Sequence, residues 1–373
     1  MPGEKEDSVN EQIYDEDDQE TPEIEQSLVS SGDNQSNSTR WKVATILNNQ
    51  QLREELMDYI ELQMKAGPHP SCLVAVKQQF FGGQSPLARI PGEINSAPII
   101  PIADMRGVDS SKYSKGERLI RCKLASLYRL VNLRGWNSTI KNHITARLSE
   151  DSMQSFLVNP YGLLYKEVTA GNLIKVDLEG RILDRGNTVL GVNQAGFSLH
   201  SAIYSARPDI NCVIHIQTAE TVAVSVLKKG FIQLTQDALM GGVPCYLESE
   251  AAYPNGDTKD TLINSISDDC DIIFVRNHGL YACGPTLETA WRFAEMAFRG
   301  CQQQLQMMKA GLDNLTYISE EAITLVKNHM HADATNLGSE VTWEPGALEF
   351  EAEMRILDNK GFRTGYVYKA PAL

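Results

Sequence analysis

The apolar residues of this chain recur with two different periods, and a period of two marks the predicted strands. The stretch "INCVIHIQ" alternates in this way, which places His215 and Gln217 side by side on one face. The segment "NHITARLSEDSMQSFLVNP" predicts two strands around a polar turn, and "NLIKVDLEGRILD" predicts a hairpin with Glu179 and Gly180 in its turn. One further strand is predicted in "CDIIFVRNHGLYACG".

A period of about 3.6 residues marks the predicted helices. The stretch "GFSLHSAIYSARPD" predicts a helix that Pro208 ends, and "TLETAWRFAEMAFRGCQQQLQMMKAG" predicts a long one. Another helix is predicted where one apolar stripe combines Ile120, Leu124, Leu127, Tyr128 and Val131. Because helices and strands do not alternate regularly, the pattern favours an α/β layered fold, with a mostly antiparallel central sheet flanked by helices, over a doubly wound parallel sheet.

Composition divides the chain into four predicted parts. Residues 1–38 are rich in Glu, Asp, Ser, Asn and Gln and cannot bury enough apolar surface to fold, so we expect an acidic disordered tail. Residues 39–112 predict a helical segment that ends at Gly67, followed by an extended loop rich in Gly, Pro and Ser. We expect the main α/β domain at 113–312 and a helical and extended segment at 313–373.

The formal net charge of −14 is concentrated in the predicted tail. Residues 1–40 hold twelve Asp and Glu against only Lys5 and Arg40, which accounts for ten of the fourteen negative charges. The nearly neutral remainder has no clustered basic footprint, so no nucleic-acid partner is expected. The sequence shows neither a run of eighteen apolar residues nor a signal-peptide pattern, which predicts an intracellular protein.

Seven cysteines occur without any Cys-x-x-Cys pair, and most have apolar neighbours, as in "RCKLASLY" and "LYACG". Free cysteine is among the most buried residue types, and intracellular proteins rarely keep disulfides. We therefore expect buried free thiols rather than disulfides or zinc ligands.

The pair His215 and Gln217 raises a question of metal chemistry. A His-x-His pair on one strand face would bring two imidazoles to one ion, but the second position here carries an amide. An amide oxygen is a weak ligand for zinc beside imidazole or thiolate. This strand by itself therefore predicts an incomplete metal site.

Several long motifs together resemble one known family. The stretches "LHSAIYSARPDINCVIH" and "RNHGLYACG" resemble the class II aldolase and adducin superfamily. Together with "PYGLLYKEVTA", "DRGNTVLGVNQAG" and the terminal "EFEAEMRILDNKGFRTGYVYKAPAL", they resemble in particular the head domain of adducins, over residues 99–310 and 343–373. The resemblance implies a class II aldolase fold for the domain predicted at 113–312.

The resemblance also implies where a functional pocket would lie. In the aldolase branch, three histidines hold a zinc-type ion, a Glu acts as acid and base, and a glycine-containing turn and an asparagine contact the substrate phosphate. By resemblance these positions fall, in the same order, on His215, Gln217 and His278, on Gly196, and on Gly162 and Asn142.

Two of these positions have lost the chemistry that the aldolases need. Gln217 lacks an imidazole, and Gly196 has no side chain for proton transfer, a function that is typically worth about 10²–10⁴ in rate. The resemblance therefore implies a catalytically degenerate, vestigial pocket without metal or other cofactor. The alternative is a metal-dependent class II aldolase-type lyase or epimerase that acts on a phosphorylated sugar.

The candidate residues also have structural interpretations. His200 is expected to pack within its helix, and His143 is either a pocket contact or a strand-face residue. The turn at 277–279 needs the backbone geometry of Asn and Gly whether or not an ion is bound. His329 and His331 lie two positions apart in a predicted helix, which points their rings in different directions.

By resemblance, the expected function is that of an adducin-like, non-enzymatic membrane-skeleton protein. Adducins assemble with one another and promote the association of spectrin with actin at the cytoplasmic face of the plasma membrane. The expected partners are therefore actin, spectrin and an identical or adducin-family chain, with contact to the membrane only at its periphery. Adducins carry a lysine-rich tail beyond the head, and this sequence has no polybasic run before Leu373. We therefore expect a head-only relative, and a scaffold without cytoskeletal targets stays open.

Overall fold

The computed structural model describes residues 100–148, 154–254, 256–332 and 343–370. These residues belong to a compact unit that spans Ile99–Leu373. The predicted acidic tail at 1–38 and the predicted helix that ends at Gly67 lie outside the described residues, so both stay predictions.

The described strands form one eight-stranded sheet. They are β1 (Ile144–Leu148), β2 (Ser155–Val158), β3 (Ile174–Asp177), β4 (Ile182–Asp184), β5 (Cys212–Ile216), β6 (Pro244–Leu247), β7 (Ile272–Val275) and β8 (Gly279–Gly284). Their order across the sheet is β4-β3-β2-β1-β5-β8-β7-β6. Neighbours are antiparallel except β6 and β7, which run parallel, so the predicted mostly antiparallel sheet is confirmed.

Helices account for most of the remaining described residues. The α-helices are α1 (Lys115–Leu133), α2 (Gln194–Ala206), α3 (Ala219–Val226), α4 (Gln236–Met240), α5 (Gly256–Ser265), α6 (Leu287–Met307), α7 (Glu320–Ala332) and α8 (Ala347–Asn359). Short 3₁₀ helices lie at Ser110–Lys112, Tyr165–Glu167, Ser249–Ala252, Met308–Ala310 and Leu312–Asn314. Within the described part of the chain, we find no helix with the length and apolar character needed to cross a membrane.

Side-chain caps fix where three of the longer helices begin. Ser114, Asn193 and Thr286 each accept a hydrogen bond from the backbone amide three residues ahead, at the start of α1, α2 and α6. Such a cap satisfies a helix donor that would otherwise lack a partner, and its replacement by Ala typically costs about 1 kcal/mol. The start of α2 matters most here, because this helix lies against the predicted pocket.

The sheet is covered by helices on both faces. On one face, α1, α6 and α8 pack against strand residues that include Ile214 and Phe274. On the other face, α2 and α5 pack against residues that include Val213 and Tyr281. Since side chains alternate along a strand, β5 directs His215 to the α2 side, together with Val213.

The stretch "CDIIFVRNHGLYACG", predicted as one strand, forms two. The chain reverses between β7 and β8, where the amide of His278 donates to the carbonyl oxygen of Val275 at 3.1 Å. The prediction was wrong because the apolar residues on the two sides of the turn read as one continuous run. The reversal brings His278 back towards the end of β5.

The cysteine prediction is wrong for one pair of residues. Cys245 in β6 and Cys270, just before β7, form a disulfide with their Cα atoms 5.9 Å apart. The two residues are separated by 25 positions in the sequence, and the pairing of β6 with β7 brings them together. The remaining described cysteines are buried free thiols, as predicted: Cys122, Cys212, Cys283 and Cys301.

Two carboxylates of α8 bind the last described residues. Asp358 accepts hydrogen bonds from the amide and the hydroxyl of Thr364, at 2.6 and 2.9 Å, and from the hydroxyl of Tyr368. Glu351, which is fully buried, accepts from the amides of Lys369 and Ala370 at 2.9 and 3.1 Å. We call residues 364–370 the C-terminal clasp.

Candidate functional site

Three aromatic rings lie nearly parallel where β5 and β8 pair. His215 faces Tyr281 across the two strands, and their rings stack with centroids 4.2 Å apart and an angle of 2° between planes. His278 stacks on His215 at 5.0 Å and 11°, and its Nε2 lies 3.3 Å from the hydroxyl of Tyr281. The structure thus brings the two candidate metal histidines together and adds Tyr281, which the sequence analysis did not select.

Two more histidines extend this group towards α2 and β1. His200 of α2 is fully buried, its ring lies 5.5 Å from that of Tyr281, and its Nδ1 is 2.8 Å from the hydroxyl of Thr145. The ring of His143, just before β1, lies 6.3 Å from that of His200. Four of the seven histidines of the chain therefore form one cluster. The complete burial of His200 agrees with the predicted packing role.

Hydrogen bonds fix both nitrogens of the His143 ring. Its Nδ1 lies 3.3 Å from Oδ1 of Asn159, and its Nε2 lies 3.2 Å from Nδ2 of Asn193. An amide oxygen only accepts and an amide nitrogen only donates, so Nδ1 carries the proton and Nε2 accepts. The orientation of Asn193 is consistent, because its Oδ1 accepts from the amide of Gly196 at 3.1 Å. His143 is thus held as a single neutral tautomer.

Burial keeps the clustered imidazoles neutral. It lowers the pKa of His143 to about 4 and lowers the pKa of His200 and His215 well below the ordinary value. Neighbouring imidazoles lower the pKa of His215 further, and burial also lowers the pKa of the less enclosed His278. At neutral pH these rings are therefore uncharged, and none is poised to exchange a proton.

The residues of this site do not fit a zinc ion of the aldolase type. An imidazole binds a metal through a lone pair in the ring plane, at about 2.1 Å. The rings of His215 and His278 stack within 11° of parallel, so their lone pairs do not converge on one point. Gln217, beyond the end of β5, offers an amide in place of a third imidazole. No group of three or more His, Cys, Asp or Glu side chains in the described ranges could hold a metal ion.

Gly196 and Asn142 both border His143. Gly196 lies in the first turn of α2, whose capping residue Asn193 also bonds His143. Asn142 directly precedes His143 and is buried, and its Oδ1 accepts from the amide of Ser138 at 3.0 Å. Its Nδ2 has no hydrogen-bond partner among the residues that the structure describes. The structure thus brings two of the predicted pocket positions together, and their functional role stays a prediction.

The turn predicted to bind phosphate is bonded within the protein. Tyr161 donates its amide to the carbonyl oxygen of Gly191 at 2.8 Å, and Leu163 donates to that of Pro160 at 3.4 Å. Gly162 has a φ of 115°, in the region that favours glycine. With these two amides already engaged, the turn offers few donors to a phosphate group.

Backbone geometry explains the Asn-His-Gly turn without an ion. Asn277 has a φ of 61° and Gly279 a φ of 138°. A Cβ at Gly279 would lie 2.6 Å from the carbonyl oxygen of Ile216, so the turn can approach β5 only with glycine there. This agrees with the structural interpretation of the turn. His329 and His331 lie within α7, as predicted, and their side chains are outside the described part.

Comparison with known proteins places the fold in one superfamily. The family described as Class II Aldolase and Adducin N-terminal domain matches residues 122–305. An aldolase II superfamily protein from Pseudomonas syringae is 32% identical with a TM-score of 0.60, and the match covers 68% of this chain and 98% of that one. L-fuculose 1-phosphate aldolase from Glaciozyma antarctica PI12 is 26% identical with a TM-score of 0.55, and the match covers 66% of this chain and 92% of that one. The chain belongs to the class II aldolase and adducin superfamily, and its predicted class II aldolase fold is confirmed.

Within this superfamily, the curated relatives of the chain include adducins. Alpha-adducin of Rattus norvegicus is 39% identical over 350 residues, which cover 89% of this chain and 47% of the relative. Gamma-adducin of Homo sapiens is 38% identical over 347 residues, which cover 90% of this chain and 48% of the relative. The protein is thus an adducin-family protein, and it spans about half the length of these relatives.

Proposed function

We propose that this protein is a non-enzymatic, adducin-like component of the membrane skeleton. It assembles with itself or with adducin chains and promotes the association of spectrin with actin at the cytoplasmic face of the plasma membrane. The observation that carries the proposal is the 39% identity to rat alpha-adducin across 89% of the chain. A match over this share of the chain includes surface positions as well as core positions, and assembly with adducin chains would use such a surface.

The geometry of the candidate site supports the non-enzymatic part of the proposal. Its imidazoles are buried and neutral, and the two candidate metal histidines stack rather than converge. The resemblance assigns the acid and base function to Gly196, which has no titratable group. A site of this kind lacks converging ligands for a Lewis acid and lacks the carboxylate that the aldolase branch uses as acid and base.

Co-sedimentation tests the proposed partners. The full chain is mixed with actin filaments and spectrin, alone and together with alpha-adducin, and the spectrin that pellets with actin is measured. We expect more spectrin in the pellet with the chain than without it, at least in the presence of alpha-adducin. Mixtures with alpha-adducin alone are the control. If the chain changes the pellet in neither mixture, the proposed function is wrong.

The second candidate function is that of a metal-dependent aldolase. It is favoured by the fold shared with L-fuculose 1-phosphate aldolase from Glaciozyma antarctica PI12, at 26% identity and a TM-score of 0.55. The test supplies L-fuculose 1-phosphate and Zn²⁺ to the full chain and measures aldehyde release. We expect no release above a blank. Zn²⁺-dependent cleavage that disappears in His215→Ala would establish the second candidate and contradict the first.

A further inference from the structure

The imidazole of His143 occupies the space that a side chain at position 196 would need. A Cβ built on Gly196 would lie 2.1 Å from Nε2 and 2.4 Å from Cδ2 of His143, and 3.2 Å from Nδ2 of Asn193. Non-bonded heavy atoms approach comfortably to about 3.5 Å, so even a methyl group overlaps the ring. Gly196 lies within α2 and does not have a positive φ. The histidine, and not the backbone conformation, is therefore what requires glycine at this position.

The ring cannot move aside without loss. It is only 2% exposed, and both of its nitrogens are hydrogen-bonded, to Asn159 at the end of β2 and to Asn193 at the start of α2. Asn159 is itself held, because its Oδ1 also accepts from the hydroxyl of Tyr128 at 3.0 Å. Rotation of the ring would leave buried polar groups without partners, which is more costly than the bonds themselves are worth.

We infer that His143 and Gly196 form one interlocked pair, in which the imidazole takes the place of the acid/base side chain between α2 and the sheet. The inference goes beyond the proposed function, which requires only that a base is absent. The imidazole of His143 fills the space where the acid/base side chain of the aldolases would lie. The single substitution Gly196→Glu therefore cannot place a carboxylate in the site. The two positions are coupled, and a change at one is tolerated only with a change at the other.

A thermodynamic cycle tests the coupling. The midpoint of thermal unfolding is measured for the full chain, for Gly196→Ala and His143→Ala, and for the double variant. Alanine is the better helix former, so without a clash the change at 196 should raise the midpoint slightly. We expect Gly196→Ala to lower the midpoint by about 3 °C or more when His143 is present, and to leave it unchanged or raise it when residue 143 is Ala.

Gly191→Ala is the matched control. Within the described part of the chain, a Cβ at Gly191 meets no atom within 4 Å, so the midpoint should change by no more than about 1 °C. If Gly196→Ala prevents folding and the double variant folds, the coupling is supported. If Gly196→Ala is harmless in the presence of His143, or equally harmful in both backgrounds, the inference is wrong. The inference is also wrong if neither Gly196→Ala nor the double variant folds, because the change at 143 would then have failed to restore folding. These results do not depend on whether spectrin or actin binds.

Discussion

Acidification from pH 7 to pH 5 is expected to destabilise the fold through its buried histidines. His143 has a pKa of about 4 in the folded protein because burial disfavours its charged form, against about 6.5 in an unfolded chain. Below about pH 6.5 the unfolded chain binds a proton that the folded chain does not. The free energy of unfolding therefore falls as the pH falls from about 6.5 towards 4.

The size of this loss follows from the two pKa values. For His143 alone, linkage gives about 2 kcal/mol at pH 5 and about 3 kcal/mol at pH 4. Burial lowers the pKa of His200 and His215 as well, so they add to the loss in the same direction. Asp209, whose pKa is lowered by its hydrogen bond with Arg207, loses its stabilising contribution only below about pH 4 and stays outside the window.

Urea unfolding at pH 7, 6 and 5 measures the effect. The free energy of unfolding of the natural chain should fall by at least about 2 kcal/mol between pH 7 and pH 5. In His143→Asn, which keeps a polar side chain but does not titrate, the fall should be smaller by about 2 kcal/mol. A free energy that stays constant or rises on acidification would refute the reasoning, as would equal slopes for the two proteins.

Three further predictions concern the metal, the disulfide and assembly. The purified chain should hold no stoichiometric metal by elemental analysis, and close to one zinc per chain that is lost in His215→Ala would contradict the account of the site. Reduction, or Cys270→Ser, should lower the free energy of unfolding by about 3 kcal/mol because the bond closes a loop of 25 residues; mass spectrometry that finds Cys245 fully alkylated in the untreated protein would show that the bond does not form. In analytical ultracentrifugation at micromolar concentration, the chain should sediment as a dimer or larger oligomer, with an interface that buries at least about 1,000 Å². A single monomer peak that does not change when an adducin head domain is added would exclude this oligomer.

The elements that the sequence predicted best are those whose pattern is local. β5 and α2 each have a clear period and a clear end, so both were predicted. The antiparallel layered fold was predicted because strands and helices do not alternate regularly along the chain. The turn between β7 and β8 was missed because Arg276, Asn277 and His278 interrupt the apolar run only briefly. The left-handed conformation of Asn277, with a φ of 61°, is what turns one predicted strand into two.

The features that the sequence could not predict depend on contacts between distant residues. The disulfide requires Cys245 and Cys270 to meet across β6 and β7, and their separation of 25 positions does not indicate in the sequence that they pair. The place of His143 beside Gly196 depends on how α2 docks on the sheet, which no spacing encodes. The resemblance assigned Gly196 to a pocket that stays a prediction, and the physical reason for the glycine became visible only in the packing.

The C-terminal clasp determines how mechanical load would enter the molecule. A pull on the chain at Ala370 acts first on Glu351 and Asp358, the two carboxylates of α8 that hold the clasp. The clasp also packs Tyr366 and Tyr368 against the core, but both are only partly buried, whereas α8 is anchored by the fully buried Phe350 and Met354. Under tension the clasp would therefore detach before α8 does, while the sheet and the histidine cluster keep their packing.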